Sequence, residues 1–303
     1  MKLPAIPYMG SKRSIAEDIV KLIRIKHPNA KYFYDVFGGG GAVSIQALRQ
    51  GFSVHYNELD ERVCNLMKFL VDLKGTGLPK EWWGWVSREK FKEITQSNRK
   101  DAYAGMVQCC WSFGNNVKKG YLFGKNIERQ KELLHYFIVN QSKDAQRLLK
   151  EEFDLDFAIP KEENIYDRYL LEYKPQIRKR CDFKLLEHLE QLERIQHLER
   201  IQQLQHLVIT NKSYDEIKIT TPLEETIVYC DPPYRGTTKY VSGEFDFKKF
   251  DEWFRNLPCT GILSEYNSPH KEVEMIRIIK RSLMAQGGTE IKYKHEKIYW
   301  NGK

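Results

Sequence analysis

Long apolar runs are missing from this chain. No stretch of eighteen consecutive apolar residues occurs in its 303 positions, which excludes a membrane-spanning helix of ordinary length. The amino-terminal segment MKLPAIPYMGSKRSIAEDI lacks the apolar core of a secretory signal. Cysteine is sparse and dispersed. Cys64, Cys109, Cys110, Cys181, Cys230 and Cys259 form no C-x-x-C pair and no Cys/His cluster with zinc spacing. The expectation is a cytoplasmic protein with reduced, mostly buried thiols and no metal. Acidic charge is in deficit: 49 Lys and Arg face 41 Asp and Glu, a net charge of +8. That balance suits a polyanionic partner held through phosphate contacts, although charge alone names no function.

What is present is an α/β pattern in two pieces. Residues 11–26 read as a helix with Ile15, Ile19, Leu22 and Ile23 on one stripe. Residues 32–37 read as a strand, four glycines follow, and residues 42–49 read as a helix. Residues 52–56 form a second strand and residues 61–73 a further helix. Strand-like segments return at 207–209, 226–230 and 261–263. Between them, residues 78–180 are rich in Trp, Tyr, Lys and Arg and show no βαβ alternation. The sequence therefore predicts a doubly wound sheet domain from residues 1–75 and 181–303, interrupted by a second, mainly helical domain over 76–180.

Two motifs carry chemistry. In YDVFGGGGAVSIQAL the glycines Gly38 to Gly41 follow a strand and open a helix, so the turn is tight and a ligand can approach the backbone. Glu58, at the end of the next strand, is placed to accept hydrogen bonds from ribose hydroxyls. Together they describe an adenosine-type cofactor site, which NAD and S-adenosylmethionine both fit. The aromatic-x-G-x-G form of Phe37, Gly39 and Gly41 suits a cofactor without a pyrophosphate better. The second motif is Asp231-Pro232-Pro233-Tyr234, directly after the apolar run 227–230. Proline fixes φ and has no N–H, so this turn offers carbonyl acceptors beside a carboxylate, and Tyr234 adds a stacking face. Two acceptors and a flat ring suit a planar heterocycle with an exocyclic amine. Such an amine becomes nucleophilic when both its N–H bonds are accepted and a methyl group is held in line. A base inside a duplex must first be flipped out.

In motif order and wording the chain resembles the Dam-type (alpha group) DNA adenine-N6 methyltransferases. The pieces that carry the resemblance are PYMGSKRSIAEDIVKLI, FYDVFGGGGAVSIQAL, YNELD, WSFGNNVKKGYLFGK and YCDPPY. The resemblance implies a Rossmann-like S-adenosylmethionine-dependent methyltransferase sheet with an inserted target-recognition domain. It implies that Tyr8 and Lys12, an aromatic and a lysine four positions on, touch the cofactor with Phe37, Gly38, Gly39, Gly41, Glu58 and Asp231. Tyr8 stands where Trp is familiar, and Glu58 where many relatives carry Asp. Asp231, Pro232, Pro233 and Tyr234 would form the catalytic turn, acting on an adenine in double-stranded DNA. A restriction endonuclease of the same system is an implied partner, and a monomer is expected. The rivals are cytosine-N4 methylation, a silent DNA-binding protein on the same fold, and a nicotinamide-dependent oxidoreductase, which leaves Pro-Pro-Tyr unexplained.

Residues 111–125 read as a basic, aromatic loop. Asn115 and Asn116 could bond base edges, Lys118, Lys119 and Lys125 could hold phosphates, and Tyr121 could wedge or stack. Residues 186–207 place Leu or Ile at every third position. On an α-helix that stripe drifts by about 60° per repeat; on a 3₁₀ helix it would align. A helix is predicted, with a 3₁₀ or overwound stretch, and it carries no evident chemistry.

Overall fold

Alternation of apolar and polar residues is absent from the central strand at 226–230 because both faces of the sheet are covered there. The Thr226–Cys230 strand is buried at all five positions, as parallel strands between two helical layers are. The computed structural model describes residues 3–159, 161–180, 186–235, 245–282 and 290–303. Among them are seven strands of one sheet: β1 (Tyr32–Asp35), β2 (Ser53–Asn57), β3 (Val208–Thr210), β4 (Thr226–Cys230), β5 (Thr260–Glu265), β6 (Lys271–Ser282) and β7 (Glu290–Trp300). Their order is β3-β2-β1-β4-β5-β7-β6. The first five run parallel, and β7 lies antiparallel to both β5 and β6.

The helix expected over 11–26 is α1 (Ala16–Lys26), which buries Ala16, Ile19, Val20 and Ile23. It begins later than the sequence suggests, since no side chain caps Ile15. Next come α2 (Ala42–Arg49), buried from Ala42 to Leu48, and α3 (Glu61–Asp72). One core cluster joins Tyr34 of β1 and Val36 just after it, Val228 and Cys230 of β4, Leu263 of β5, and Phe250 and Phe254 of the Phe247–Asn256 helix. The described cysteines are buried and none of them forms a disulfide; Cys181 lies outside the described residues.

The chain divides into two compact units. The first comprises Met1–Ala5, Gly10–Cys64 and Gln202–Lys303 and contains the sheet. The second comprises Ile6–Met9 and Asn65–Ile201. Its helices include α4 (Arg88–Gln96), α5 (Ala102–Cys110), α6 (Lys125–Asn140) and α7 (Lys143–Phe153). Its centre is aromatic: Trp85 stacks on Phe123, and Trp111 stacks on His188, whose ring nitrogen lies 2.9 Å from that of His135. Burial lowers the pKa of both histidines, His135 to about 3, so the pair is neutral and shares one hydrogen bond.

The segment of leucine triplets resolves into two helix types. Glu187–Glu199 is an α-helix and Gln202–His206 a 3₁₀ turn. Leu189, Leu192, Ile195 and Leu198 are all fully buried although their stripe moves around the α-helix. The drift is tolerated because His188, Gln191, Glu193 and Glu199 are buried as well, so more than one face of this helix is covered. The boundary between the two units falls between Ile201 and Gln202, where the α-helix has ended and the 3₁₀ turn begins.

Candidate active site

Four adjacent parallel strands of the first unit lead into carboxylates at one edge of the sheet. β2 runs out into Glu58, β1 ends on Asp35, β4 is followed by Asp231, and β5 ends on Glu265. From β1 the chain continues to β2 and β3 on one side, while β4 and β5 lie on the other. The strand order therefore reverses between β1 and β4, and ligands of open α/β sheets bind at the carboxyl ends of strands at such a point.

The glycine loop sits at the end of β1. Gly39 and Gly41 have φ of 49° and 76°, left-handed values that glycine adopts without a Cβ clash, and Gly41 is the residue from which α2 starts. Gly38 is required for a different reason. A Cβ there would lie 2.2 Å from the Tyr56 ring, which is held in place by a 2.7 Å bond from its hydroxyl to the Gly39 carbonyl. Gly38→Ala is therefore expected to lower the thermal midpoint by an amount worth about 1–3 kcal/mol. Thermal unfolding followed by circular dichroism checks this, and an unchanged midpoint would mean that the ring moves aside without cost. Phe37 turns the other way, into the aromatic group of Tyr214, Phe245 and Phe250.

Glu58 is buried. One carboxylate oxygen accepts the Gly39 N–H at 2.7 Å and the other the Asp60 N–H at 2.7 Å. Burial raises its pKa to about 7 against the pull of those two amides. Each oxygen still has a lone pair for a further donor. Asp35 accepts the Ser44 hydroxyl at 2.6 Å through Oδ2, and its buried Oδ1 has no hydrogen-bond partner among the described residues. Burial raises this carboxyl to about 7 also.

Asp231 is gripped by Lys12. The Lys12 ammonium lies 2.6 and 2.7 Å from the two carboxylate oxygens and 4.6 Å from the centre of the Tyr234 ring. Burial works against the ammonium, but the charges of Asp231 and Glu296 outweigh it and hold the Lys12 pKa above the usual lysine value. Burial raises Asp231 to about 6; Lys12 opposes the rise and Glu296 adds to it. The Tyr234 hydroxyl donates to Glu296 Oε1, which also accepts the Ser264 hydroxyl at 2.6 Å. Burial, with Asp231 and Glu296 beside it, pushes the Tyr234 phenol upward, so it stays a donor. Tyr266 meets the Tyr234 ring edge-on at 4.5 Å.

Arg235 anchors the exit of the turn. Its guanidinium makes two 2.7 Å bonds to Asp251, which also faces His270 Nε2 at 3.1 Å, and its backbone N–H donates to Glu265. Positions 236–240 lie outside the described residues.

The remaining sequence candidates belong to the second unit. Tyr8 is in the Ile6–Met9 segment of that unit. Asn116 is buried, donates to Met9 Sδ at 3.1 Å and caps Lys118, while Asn115 donates to the Cys109 carbonyl at 2.7 Å. Tyr121 is buried as well, with its hydroxyl on the Val86 carbonyl. Lys118, Lys119 and Lys125 are exposed. Sequence reasoning missed Asp35, Ser264, Glu265, Tyr266 and Glu296. Asp35 was within reach, being an acid at a strand end before a glycine loop. Glu296 was not: it lies sixty-two residues beyond Tyr234, in a charged stretch with no motif.

Among the described residues, no group of three or more His, Cys, Asp and Glu is placed to hold a metal ion, and no helix is long and apolar enough to cross a membrane. The strand order, with an antiparallel β7 between β5 and β6, defines an α/β enzyme of methyltransferase fold. Across residues 8–144 and 183–273 the chain matches the D12 class N6 adenine-specific DNA methyltransferases, and it belongs to that family. Its reaction is the methylation of adenine N6 in DNA. No match was found among curated proteins.

Proposed function

We propose that the chain transfers a methyl group from S-adenosylmethionine to N6 of an adenine turned out of double-stranded DNA, with Asp231 and the Pro232 carbonyl accepting the two N–H bonds of the amine. The observation that carries this reading is the Asp231 carboxylate, held beside the Tyr234 ring next to the glycine loop of β1.

A carboxylate beside the loop favours this donor over a dinucleotide. Glu58 suits the ribose of either cofactor, but Asp35, at the end of β1 before the glycine loop, would oppose a pyrophosphate and suits a cationic amino group. The residues fit: Glu58 keeps lone pairs for two ribose hydroxyls, and the orphaned Asp35 Oδ1 is an acceptor for the amino group. When bound, the donor supplies an electrophilic methyl whose S–C bond breaks, with its electron pair left on sulfur, as the N6–C bond forms. Asp231 and the Pro232 carbonyl draw the two hydrogens out of the ring plane, which localises the nitrogen lone pair towards the methyl group. The amine then releases one proton, for which the Asp231 carboxylate is the nearest base. Tyr234 stacks on the extruded ring, an interaction worth about 1–3 kcal/mol.

The second unit is proposed to read the DNA sequence, in the alpha-group order of cofactor loop, recognition region and catalytic turn. Lys118, Lys119 and Lys125 are its candidate phosphate contacts. Asn115, Asn116 and Tyr121 are proposed to shape the loop, because their polar groups already bond the protein.

A pH profile tests the role of Asp231. The carboxylate must be ionised to accept N–H bonds, and its pKa is about 6. The kcat/KM for DNA is expected to rise about tenfold per unit below that value and to level off above it. A profile that is flat from about pH 5 to 8 would remove Asp231 from the role.

A further inference from the structure

Both oxygens of Asp231 are already taken by one ammonium group. A carboxylate neutralised in this way is a weak acceptor for the N6 hydrogens. A lysine held there also opposes the positive charge that grows on N6 during transfer. Lys12 has to withdraw for the amine to enter, and it is buried, so its charge needs another partner.

We propose that Glu296 is a positioning residue that receives Lys12 when the adenine amine takes over Asp231, while continuing to hold the Tyr234 hydroxyl. This rests on the assignment of Asp231 as amine acceptor. Glu296 Oε1 lies 3.9 Å from the Lys12 ammonium, so this carboxylate is within a short swing of the lysine and can form a charge-assisted hydrogen bond with it. Glu296 is 1% exposed, so the transferred pair stays shielded from water. Ser264 and Tyr234 both donate to Oε1 and use its two lone pairs, so the incoming ammonium takes the second carboxylate oxygen, Oε2. The Lys12 ammonium near the Tyr234 ring also occupies the space a base amine would need, so withdrawal clears the stacking face. Glu296 thus couples two events: release of the acceptor and orientation of the ring against which the base stacks.

The groups whose charges bear on Asp231 are Lys12 before α1, Asp35 of β1, Tyr229 and Cys230 of β4, and Tyr234 of the turn, with Glu265 of β5, Tyr266 after it and Glu296 of β7. Of these, the charge of Glu296 raises the Asp231 pKa and Lys12 lowers it. Taking away the Glu296 charge therefore lowers the Asp231 pKa and leaves Lys12 with Asp231 as its acidic partner.

The test compares wild type, Glu296→Gln, Tyr234→Phe and Asp231→Asn in the full chain, with labelled S-adenosylmethionine and unmethylated double-stranded DNA of mixed sequence. Glu296→Gln is expected to bind S-adenosylmethionine within about threefold of wild type and to lose on the order of tenfold or more in kcat. The acid limb of its kcat/KM profile moves to lower pH. Tyr234→Phe keeps the ring and the Glu296 charge, so it loses less kcat and its acid limb does not make that move. Glu296→Gln with unchanged kcat and limb, while Asp231→Asn is inactive, overturns the hand-over alone. Active Asp231→Asn overturns the assignment beneath it. A Glu296→Gln protein that has lost cofactor binding and thermal stability, with its acid limb in place, assigns Glu296 a purely structural role and also overturns the proposal.

Discussion

Replacing Asp231 with alanine stops methyl transfer while double-stranded DNA still binds. The loss in kcat is expected to reach at least about 10²–10³, the range seen when one preorganised polar group at a reacting atom is removed. The amine is a poor nucleophile because its lone pair is shared with the ring, and Asp231 is the group here that can reverse that with a charge. DNA binding survives because its electrostatic part comes from basic side chains elsewhere in a chain of net charge +8. Alanine also leaves the Lys12 ammonium without its partner at 2.6 Å, a loss that costs about 3–5 kcal/mol in buried pairs. Asp231→Asn separates the two effects, since it keeps the shape and one acceptor but removes the charge. Single-turnover transfer, filter binding of DNA and a thermal scan on both variants provide the check. Transfer near the wild-type rate in either folded variant would mean that the reacting amine is activated elsewhere.

Glu58→Ala is expected to weaken S-adenosylmethionine binding by about 100-fold, with a smaller effect on kcat at saturating donor. A hydrogen bond to a charged group contributes about 1.5–3 kcal/mol, and 1.4 kcal/mol is a factor of ten in Kd. The carboxylate also organises the site before any ligand arrives, because it ties the Gly39 and Asp60 amides together at 2.7 Å each. Glu58→Gln keeps an acceptor for one of those amides and should lose less. Because the Glu58 pKa is raised to about 7 by burial, donor affinity should strengthen as pH rises through that value and the carboxylate ionises. Calorimetric titration of the donor at two pH values checks both statements. Affinity unchanged in Glu58→Ala would place the ribose elsewhere.

Much of the sheet domain could be read from the sequence because its signals are local. The helix at 42–49 follows a glycine loop and is followed by Gly51, and α2 has those bounds. The buried run at 226–230 is β4 to the residue. Strand order was less accessible, since β6 and β7 carry charges at many positions and it is β7, not β6, that returns to pair with β5. The leucine triplets show the limit of periodicity. A period of three suits a 3₁₀ helix, yet an α-helix holds most of it, because burial on several faces removes the need for a single stripe. In the candidate site, the motif residues directly follow β1, β2 and β4 and announce themselves by spacing. The groups that hold them, Ser264 and Glu296, come from β5 and β7 and are meaningful only once the sheet is formed. Local sequence likewise gave Tyr121 a ligand-facing reading, where packing against Trp111 and Phe91 places it inside.

The most direct measurement is the fate of one labelled methyl group. The purified chain is incubated with methyl-labelled S-adenosylmethionine and unmethylated double-stranded DNA, and the DNA is digested to nucleosides. The expected result is label in N6-methyladenine from the wild type and none from Asp231→Ala. Label in another base, label that persists without the Asp231 carboxylate, or no transfer to DNA at all would contradict it.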